Sequence, residues 1–456
     1  MGIPPRTFGA LQLKRRESLV TRAVVMPIQQ FIHIQGISSI FLLAAAVAAL
    51  IWANSPWHDS YHHVWEMELT LSQLRLPFHA WINDALMAIF FFLVGMEIKH
   101  EIVHGELADM RQAALPIFAA LGGMIVPAVL YALLNHGTDG QHGWGIPMAT
   151  DIAFSLGVLG MVKGVPAELK ILLLTLAIAD DIGAIAVIAI FYSGSLDGGP
   201  LMVGLVLLGL IAALQKLGIS QPILYFVLAV GFWVAILRSG IHATIAGVIL
   251  GFMVPTTAPF SLKEFQDIGA GMVVRFRRAL ADGDEKTAKN LLGSFEVLVQ
   301  STESVSERLT RILNDWVSFL VLPLFALANA GVTFSGGILR ELLTSRVAWG
   351  VLLGLIIGKP LGVLGLSKLA VRLGLAQLPK GVNWRQVGGV GMLAGIGFTV
   401  SIFISSLAFD SDLYLAEAKT AVLAASVIAG VLGYLGLRER ATAREPAAAA
   451  ASGEGQ

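Results

Sequence analysis

Leu176-Ala177-Ile178-Ala179-Asp180-Asp181-Ile182-Gly183-Ala184 stands in the middle of an apolar run from about Leu169 to Phe191. A run of that length crosses the ~30 Å hydrocarbon layer of a bilayer as a helix. Two adjacent carboxylates at its centre lie where a charge costs most, so the surrounding chain must supply partners for them. Neighbours on a helix are separated by about 100°, so Asp180 and Asp181 cannot face the same way. One can line an ion path while the other meets a cation.

The rest of the chain is of the same character. Of its 456 residues, 56% are apolar and only 14% are charged, against roughly 25% charged in a soluble domain. Mean hydropathy is +0.76. These values specify an all-α polytopic membrane protein whose principal partner is the lipid bilayer. The formal net charge is +0, so no basic footprint points to nucleic acid. There are no cysteines, which excludes disulfides, thiolate metal sites and thiol chemistry. The 49 glycines suit closely packed or interrupted membrane helices. The first apolar run ends in Ala45-Ala46-Val47-Ala48-Ala49-Leu50, like the end of a signal peptide. It is longer than a signal-peptide apolar region and more spans follow, so it reads as an uncleaved first span.

Residues 1–35 form a basic tail with an amphipathic patch near Val24–Ile34. About twelve spans follow: Gly36–Ala53, Trp81–Val103, Ala113–Leu134, Gly143–Met161, Leu169–Phe191, Pro200–Leu214, Pro222–Leu237 and Ile241–Val254, then Trp316–Val332, Val347–Leu369, Val387–Leu407 and Ala418–Leu437. The organisation is therefore a tail (1–35), eight spans (36–254), an inserted loop (255–315), four spans (316–437) and an Ala-, Glu- and Gly-rich tail (438–456) expected to be disordered. With the N-terminal tail inside, the inside loops carry Lys99, Arg111, Lys163, Lys170, Lys216, Lys368, Arg372, Lys380 and Arg385. That alternation places both termini in the cytoplasm. The loop 255–315 holds Phe265, Met272, Val273, Val274 and Phe276 beside Arg275, Arg277 and Arg278, then Leu291, Leu292, Phe295 and Leu298 at helical spacing, and reads as one or two amphipathic helices at the cytoplasmic surface.

Four features share the depth of the membrane centre: Asp180-Asp181; Thr150-Asp151, just after Pro147; Lys359-Pro360; and Gly395-Ile396-Gly397. A helix carrying Pro then Thr-Asp, or Gly-x-Gly, can unwind at its centre, which is tolerated only where it is buried in protein or lines a cavity. Each break exposes a positive half-helix N-terminus and a negative C-terminus. Two such helices crossing would bring like ends together, with Asp151 set to neutralise the N-termini and Lys359 the C-termini. Lys359 is also the partner expected for one of the paired aspartates. Oxygen donors from Asp181, Asp180 and Thr150 suit Na⁺ or Li⁺ as the bound metal. A desolvated carboxylate holds either a proton or such a cation, and that competition is the simplest route to exchange.

The motifs Ala149-Thr150-Asp151-Ile152-Ala153-Phe154, Asp180-Asp181-Ile182-Gly183-Ala184-Ile185, Gly240-Ile241-His242-Ala243-Thr244, Leu322-Pro323-Leu324-Phe325-Ala326-Leu327-Ala328-Asn329, Gly358-Lys359-Pro360-Leu361-Gly362 and Gly395-Ile396-Gly397-Phe398-Thr399 resemble, in order, the signatures of the NhaA-type sodium/proton antiporters. The resemblance runs from about Gly36 to Leu437. It implies twelve helices, inverted repeats with two discontinuous crossing helices, a bacterial inner-membrane location, and electrogenic, pH-regulated exchange of cytoplasmic Na⁺ or Li⁺ for external H⁺. No cofactor is implied beyond the transported ions, and a homodimer is admitted. By likeness, Asp181 is the main cation ligand and proton carrier, Asp180 pairs with Lys359, and Lys359 itself can carry a proton. Glu97, Glu101, Asp84 and His242 match positions linked to the pH response or the cytoplasmic funnel. One departure is Arg308-Leu309-Thr310-Arg311, where Thr310 replaces a pH-sensing acid of the family.

Two other functions fit parts of the sequence. His100-Glu101-Ile102-Val103-His104 matches the H-E-x-x-H pattern of zinc proteases, but no third ligand stands out and the central aspartates would go unused. A sodium-coupled solute symporter would need an organic-substrate pocket, for which no polar or aromatic cluster is evident.

Overall fold

The computed structural model describes residues 37–71, 74–219, 221–333 and 342–452. The amphipathic patch near Val24–Ile34 lies outside them. The described chain is helical apart from one two-stranded ribbon. Seven helices are long and apolar enough to cross a membrane, or ten if each of three bent pairs is one span. Two shorter apolar helices, Pro222–Arg238 and Ala243–Met253, join them. Every expected span has a helical counterpart.

In order, α1 (Ile37–Ala53) is followed by a short helix α2 (His58–Glu66) turned 114° from it. An antiparallel ribbon follows, β1 (Glu68–Leu71) paired with β2 (Leu74–Pro77). Next come α3 (Phe78–His104) and α4 (Met110–Leu134). A 3₁₀ helix, Asp139–Met148, leads to α5 (Ile152–Met161), and α6 (Ala167–Phe191) carries the aspartate pair. Then come α7 (Gly198–Lys216), α8 (Pro222–Arg238) and α9 (Ala243–Met253). Outside the bundle, α10 (Leu262–Ala281) and α11 (Glu285–Gln300) form a hairpin. The bundle resumes with α12 (Val305–Asn329), α13 (Arg346–Arg372), α14 (Trp384–Ala394), α15 (Phe398–Ala408) and α16 (Asp412–Ser452).

Three features differ from the sequence expectation. The ribbon after α2 breaks the all-helical pattern outside the bundle; Glu68-Leu69-Thr70-Leu71 alternates polar and apolar residues, a strand pattern too short to weigh beside the spans. The ninth span begins at Val305 rather than Trp316, so the inserted segment ends earlier than residue 315. Its first turns are amphipathic: Leu309 and Leu313 pack inward while Thr310 and Asn314 line a cavity, which interrupts the apolar signal. Ser304 and Glu307 fix the start with a reciprocal capping box. The last helix continues past Leu437 to Ser452 where a disordered tail was expected, and the alanine-rich composition of that stretch favours helix.

The central spans approach closely where side chains are absent. A Cβ on Gly122 of α4 would clash with the carbonyl oxygen of Gly362 on α13, and one on Gly362 with the carbonyl of Gly122. Beside this crossing, the Cα face of Gly123 leaves room for the stem of Lys359 to reach inward. Gly362→Ala is expected to cost about 1–3 kcal/mol through overpacking and to lower the melting temperature in detergent. Gly365→Ala, one turn on, faces open space and should leave it unchanged or raise it. Equal melting of the two variants would refute close packing at this crossing.

Proline spacing explains two further irregularities. Pro360 and Pro323 each follow a π-helical turn, Gly354–Gly358 and Val317–Val321 respectively. A proline lacks an N–H and crowds the preceding turn, and the wider turn takes up both defects.

Candidate functional site

The two bent pairs inside the bundle meet at their breaks. The 3₁₀ helix Asp139–Met148 and α5 are bent by 46°, and α14 and α15 by 48°. Between the halves, Ala149-Thr150-Asp151 and Gly395-Ile396-Gly397 lie side by side. Asp151 N–H donates to the Ile396 carbonyl at 2.7 Å. The irregular backbone at this depth is therefore hydrogen-bonded within the protein, as a low-dielectric setting demands.

Asp151 serves both half-helix N-termini. Its Oδ1 accepts from Phe154 N–H of α5 at 2.9 Å. Its Oδ2 accepts from Thr399 N–H at 3.1 Å and from Thr399 Oγ1 at 2.6 Å, at the start of α15. One carboxyl group thus caps both half-helices. Lys359 is less symmetrical than expected. Its Nζ donates to the carbonyl of Met148, the C-terminus of the 3₁₀ half-helix. The opposing C-terminus is served by Thr150, whose Oγ1 lies 2.8 Å from the Ala394 carbonyl. Thr399 escaped the candidate site residues; the signal for it was a hydroxyl at the first turn after a Gly-x-Gly break.

The adjacent aspartates point in different directions, as the helical offset requires. Asp180 Oδ2 lies 2.7 Å from Lys359 Nζ, and both side chains are fully buried. The same oxygen is 2.7 Å from Thr150 Oγ1, so the single hydroxyl proton serves either Asp180 or Ala394 at one time. Asp180 Oδ1 has no partner among the described residues. Asp181 instead lines a cavity of about 580 Å³ together with Thr150, Asp151 and Thr399. Its carboxylate has no hydrogen-bond donor among the described residues. The same cavity is lined by Glu97 and Glu101 of α3 and by Ser306, Glu307, Thr310 and Arg311 of α12. Hence Thr310, the departure from the family pattern, lines the cavity.

The floor of the cavity offers oxygen donors of the hard type, two carboxylates and two hydroxyls, which suit a small monovalent or divalent cation rather than a soft metal. Of the residues linked by likeness to a pH response, Glu97 and Glu101 face this cavity. Asp84 and His242 do not. Asp84 lies in a π turn of α3 with its carbonyl bonded to Trp233 Nε1, and His242 contacts the Tyr192 carbonyl at the start of α9. His100 and His104 of the H-E-x-x-H match are close, with ring centroids 5.4 Å apart. No group of three metal-ligating side chains forms among the described residues, around these or around His58, His62 and His63.

Asp151 is expected to matter for folding as well as chemistry. Asp151→Ala strips one acceptor from each half-helix. At about 0.5–2 kcal/mol per cap, the loss should reach about 1–4 kcal/mol, read as a lower melting temperature in detergent. A wild-type melting curve would show that the paired N-termini do not need the carboxylate.

Comparison with known proteins bears on this arrangement. The family model described as Na+/H+ antiporter 1 matches residues 29–437. The chain is 45% identical over 427 residues to Na(+)/H(+) antiporter NhaA 2 of Syntrophotalea carbinolica, covering 92% of this chain and 97% of that protein. It is 45% identical to Na(+)/H(+) antiporter NhaA of Wolinella succinogenes, covering 89% of this chain and 91% of the relative. With Na(+)/H(+) antiporter NhaA of Janthinobacterium sp. (strain Marseille), identity is 41% over 98% of this chain and all of the other.

Proposed function

This chain belongs to the Na+/H+ antiporter 1 family, and from that premise we propose that it exchanges cytoplasmic Na⁺ or Li⁺ for external H⁺ by competition of the two for Asp181. Membership makes it a multi-pass membrane transporter rather than an enzyme, with Na⁺ and H⁺ as its cargo. The observation that carries the competitive reading is the division of labour between neighbours. Asp180 is held by Lys359 and Thr150, whereas Asp181 faces the cavity without a donor among the described residues.

In this reading the cation enters past Glu97 and Glu101 and is held by Asp181, Thr150 and Asp151. Binding requires Asp181 ionised, so arrival of Na⁺ displaces its proton, and protonation from the other side displaces Na⁺. Asp180 and Lys359 position the site, and Lys359 is a second candidate proton carrier. More than one proton per cation makes the exchange electrogenic. The cavity is then reached from the cytoplasm, with both termini on that side of the bacterial inner membrane. Regulation by pH acts at Glu97 and Glu101, with Thr310 altering its threshold, and with Asp84 and His242 acting from outside the cavity. A homodimer is compatible with this scheme.

Competition has a signature. In everted vesicles, a tenfold rise in Na⁺ should move the midpoint of the pH profile to lower pH, by about one unit for one competing proton and about half a unit for two. Sodium binding is thus favoured as pH rises, and proton loading as it falls. The check is dequenching of a pH-sensitive dye at a series of Na⁺ concentrations. A midpoint that stays fixed while only the amplitude changes would exclude a shared site. A solute symporter would instead show solute-dependent sodium uptake.

A further inference from the structure

Helix α16 backs the break between α14 and α15. Its Ala429 lies 3.3 Å from where a Cβ on Gly395 would stand, and the Ile396 side chain lies 3.6 Å from where one on Gly430 would. This face of α16 is built of small residues, with Ala418, Ala421, Ala425 and Ala429 all buried. Ser426 sits beside them, 2% exposed, and is the only polar side chain between Ala421 and Gly433. For packing alone an alanine would serve, as the neighbours show. The hydroxyl therefore has a use that shape does not supply.

That use is at the N-terminus of α15. The first N–H groups of a helix have no partner within it, and the residue before α15, Gly397, has no side chain to accept them. Two other elements do so. Phe398 N–H donates to Ser426 Oγ at 3.1 Å, with both residues buried. The next amide, Thr399 N–H, donates to Asp151 Oδ2, which also holds the Thr399 hydroxyl. Asp151 accepts from Phe154 of α5 as well. Without Ser426, Phe398 N–H would be a buried donor lacking an acceptor, which costs more than the bond itself contributes. The carboxylate that holds the adjacent amide is the acceptor best placed to take it. A carboxylate drawn toward a further amide of α15 is drawn away from the cavity.

We propose that Ser426 is a positioning residue for the cation site: by holding the Phe398 amide, it leaves Asp151 free to present an oxygen to Na⁺ in the cavity. This rests on the reading of Asp151 as a cation ligand given above. Ser426 does not itself line the cavity, so it acts through the start of α15. Helix α16, which supplies no ligand, thereby helps to set the affinity of a site built on its neighbours.

The test is Na⁺ binding and exchange in Ser426→Ala and Ser426→Cys. Cysteine nearly keeps the volume of serine, but its sulfur is a weak acceptor. Both variants should raise the Na⁺ concentration for half-maximal dequenching in everted vesicles by about two- to tenfold, the worth of one hydrogen bond, while maximal exchange stays within about twofold of wild type. Calorimetric titration of the purified protein with Na⁺ should show the same loss of affinity. Ser405→Ala removes another buried hydroxyl, one that bonds within α15, and should change neither. A lower melting temperature with wild-type Na⁺ affinity would make Ser426 a structural cap only and overturn the proposal. So would a shift in Ser426→Ala that Ser426→Cys lacks, because volume rather than the acceptor would then matter. Na⁺ binding that survives Asp151→Asn unchanged would remove Asp151 as a ligand, and the proposal with it. Na⁺ binding lost in Asp151→Asn but intact in Ser426→Ala would overturn the role of Ser426 alone.

Discussion

Asp181→Asn is expected to reduce Na⁺-driven proton release to background while leaving the protein folded. The substitution keeps the shape of the side chain and removes both of its proposed uses. An amide cannot carry a proton across the membrane. As a cation ligand it offers a neutral oxygen where the carboxylate offers a charged one, a loss of about 3 kcal/mol, or roughly a hundredfold in affinity. Stability should not suffer, because Asp181 accepts no hydrogen bond among the described residues and burial of its charge is itself costly. The measurement is dye dequenching on Na⁺ addition to everted vesicles, beside a melting curve of the purified protein. Glu97→Gln, on the same cavity but away from the crossing, should shift the pH profile and keep the exchange. Full-amplitude dequenching in Asp181→Asn would remove this residue as carrier and transfer the role to Asp151 or Lys359.

How much of this was legible in the sequence depends on the kind of signal. That Asp180 and Asp181 point in different directions follows from helical geometry alone, and the choice of Lys359 as partner follows from its being the lysine at the matching depth. The bent pairs were announced by Pro147 and by Gly395-Ile396-Gly397, because helix-weakening residues at the membrane centre have few other uses. Other features rested on surfaces that no local pattern reports. The start of α12 at Val305 was hidden because Thr310, Arg311 and Asn314 face a cavity, so a membrane helix reads there as a polar segment. That Asp151 serves two N-termini was expected from the crossing of two breaks; which groups it bonds, Phe154 N–H and the amide and hydroxyl of Thr399, was not.

Lys359→Met is expected to be the most destabilising single change at the site. It removes the partner of Asp180 and the donor to the Met148 carbonyl at once, and leaves both buried. Breaking a buried ion pair from one side typically costs about 3–5 kcal/mol, because the remaining charge is uncompensated. The melting temperature in detergent should fall by several degrees, on the order of 5–10 °C. Adding Asp180→Asn removes that charge, so the double variant should be more stable than Lys359→Met alone, with a coupling of about 1–3 kcal/mol between the sites. Additive losses would mean that the 2.7 Å contact does not act as a pair. Where Lys359→Met fails to fold, Lys359→Arg separates charge from shape. It keeps the cation, but places a bulkier, planar guanidinium where the lysine ammonium sits between Asp180 and the Met148 carbonyl. The pair also explains why a charge change at Asp181 need not remain local. Asp180 is the next residue on α6, and Lys359 joins it to α13 and to the end of the 3₁₀ half-helix. Loading or unloading Asp181 alters the field at Asp180 and so the hold of Lys359 on Met148, which is a physical link from ion occupancy to the crossing that would have to move.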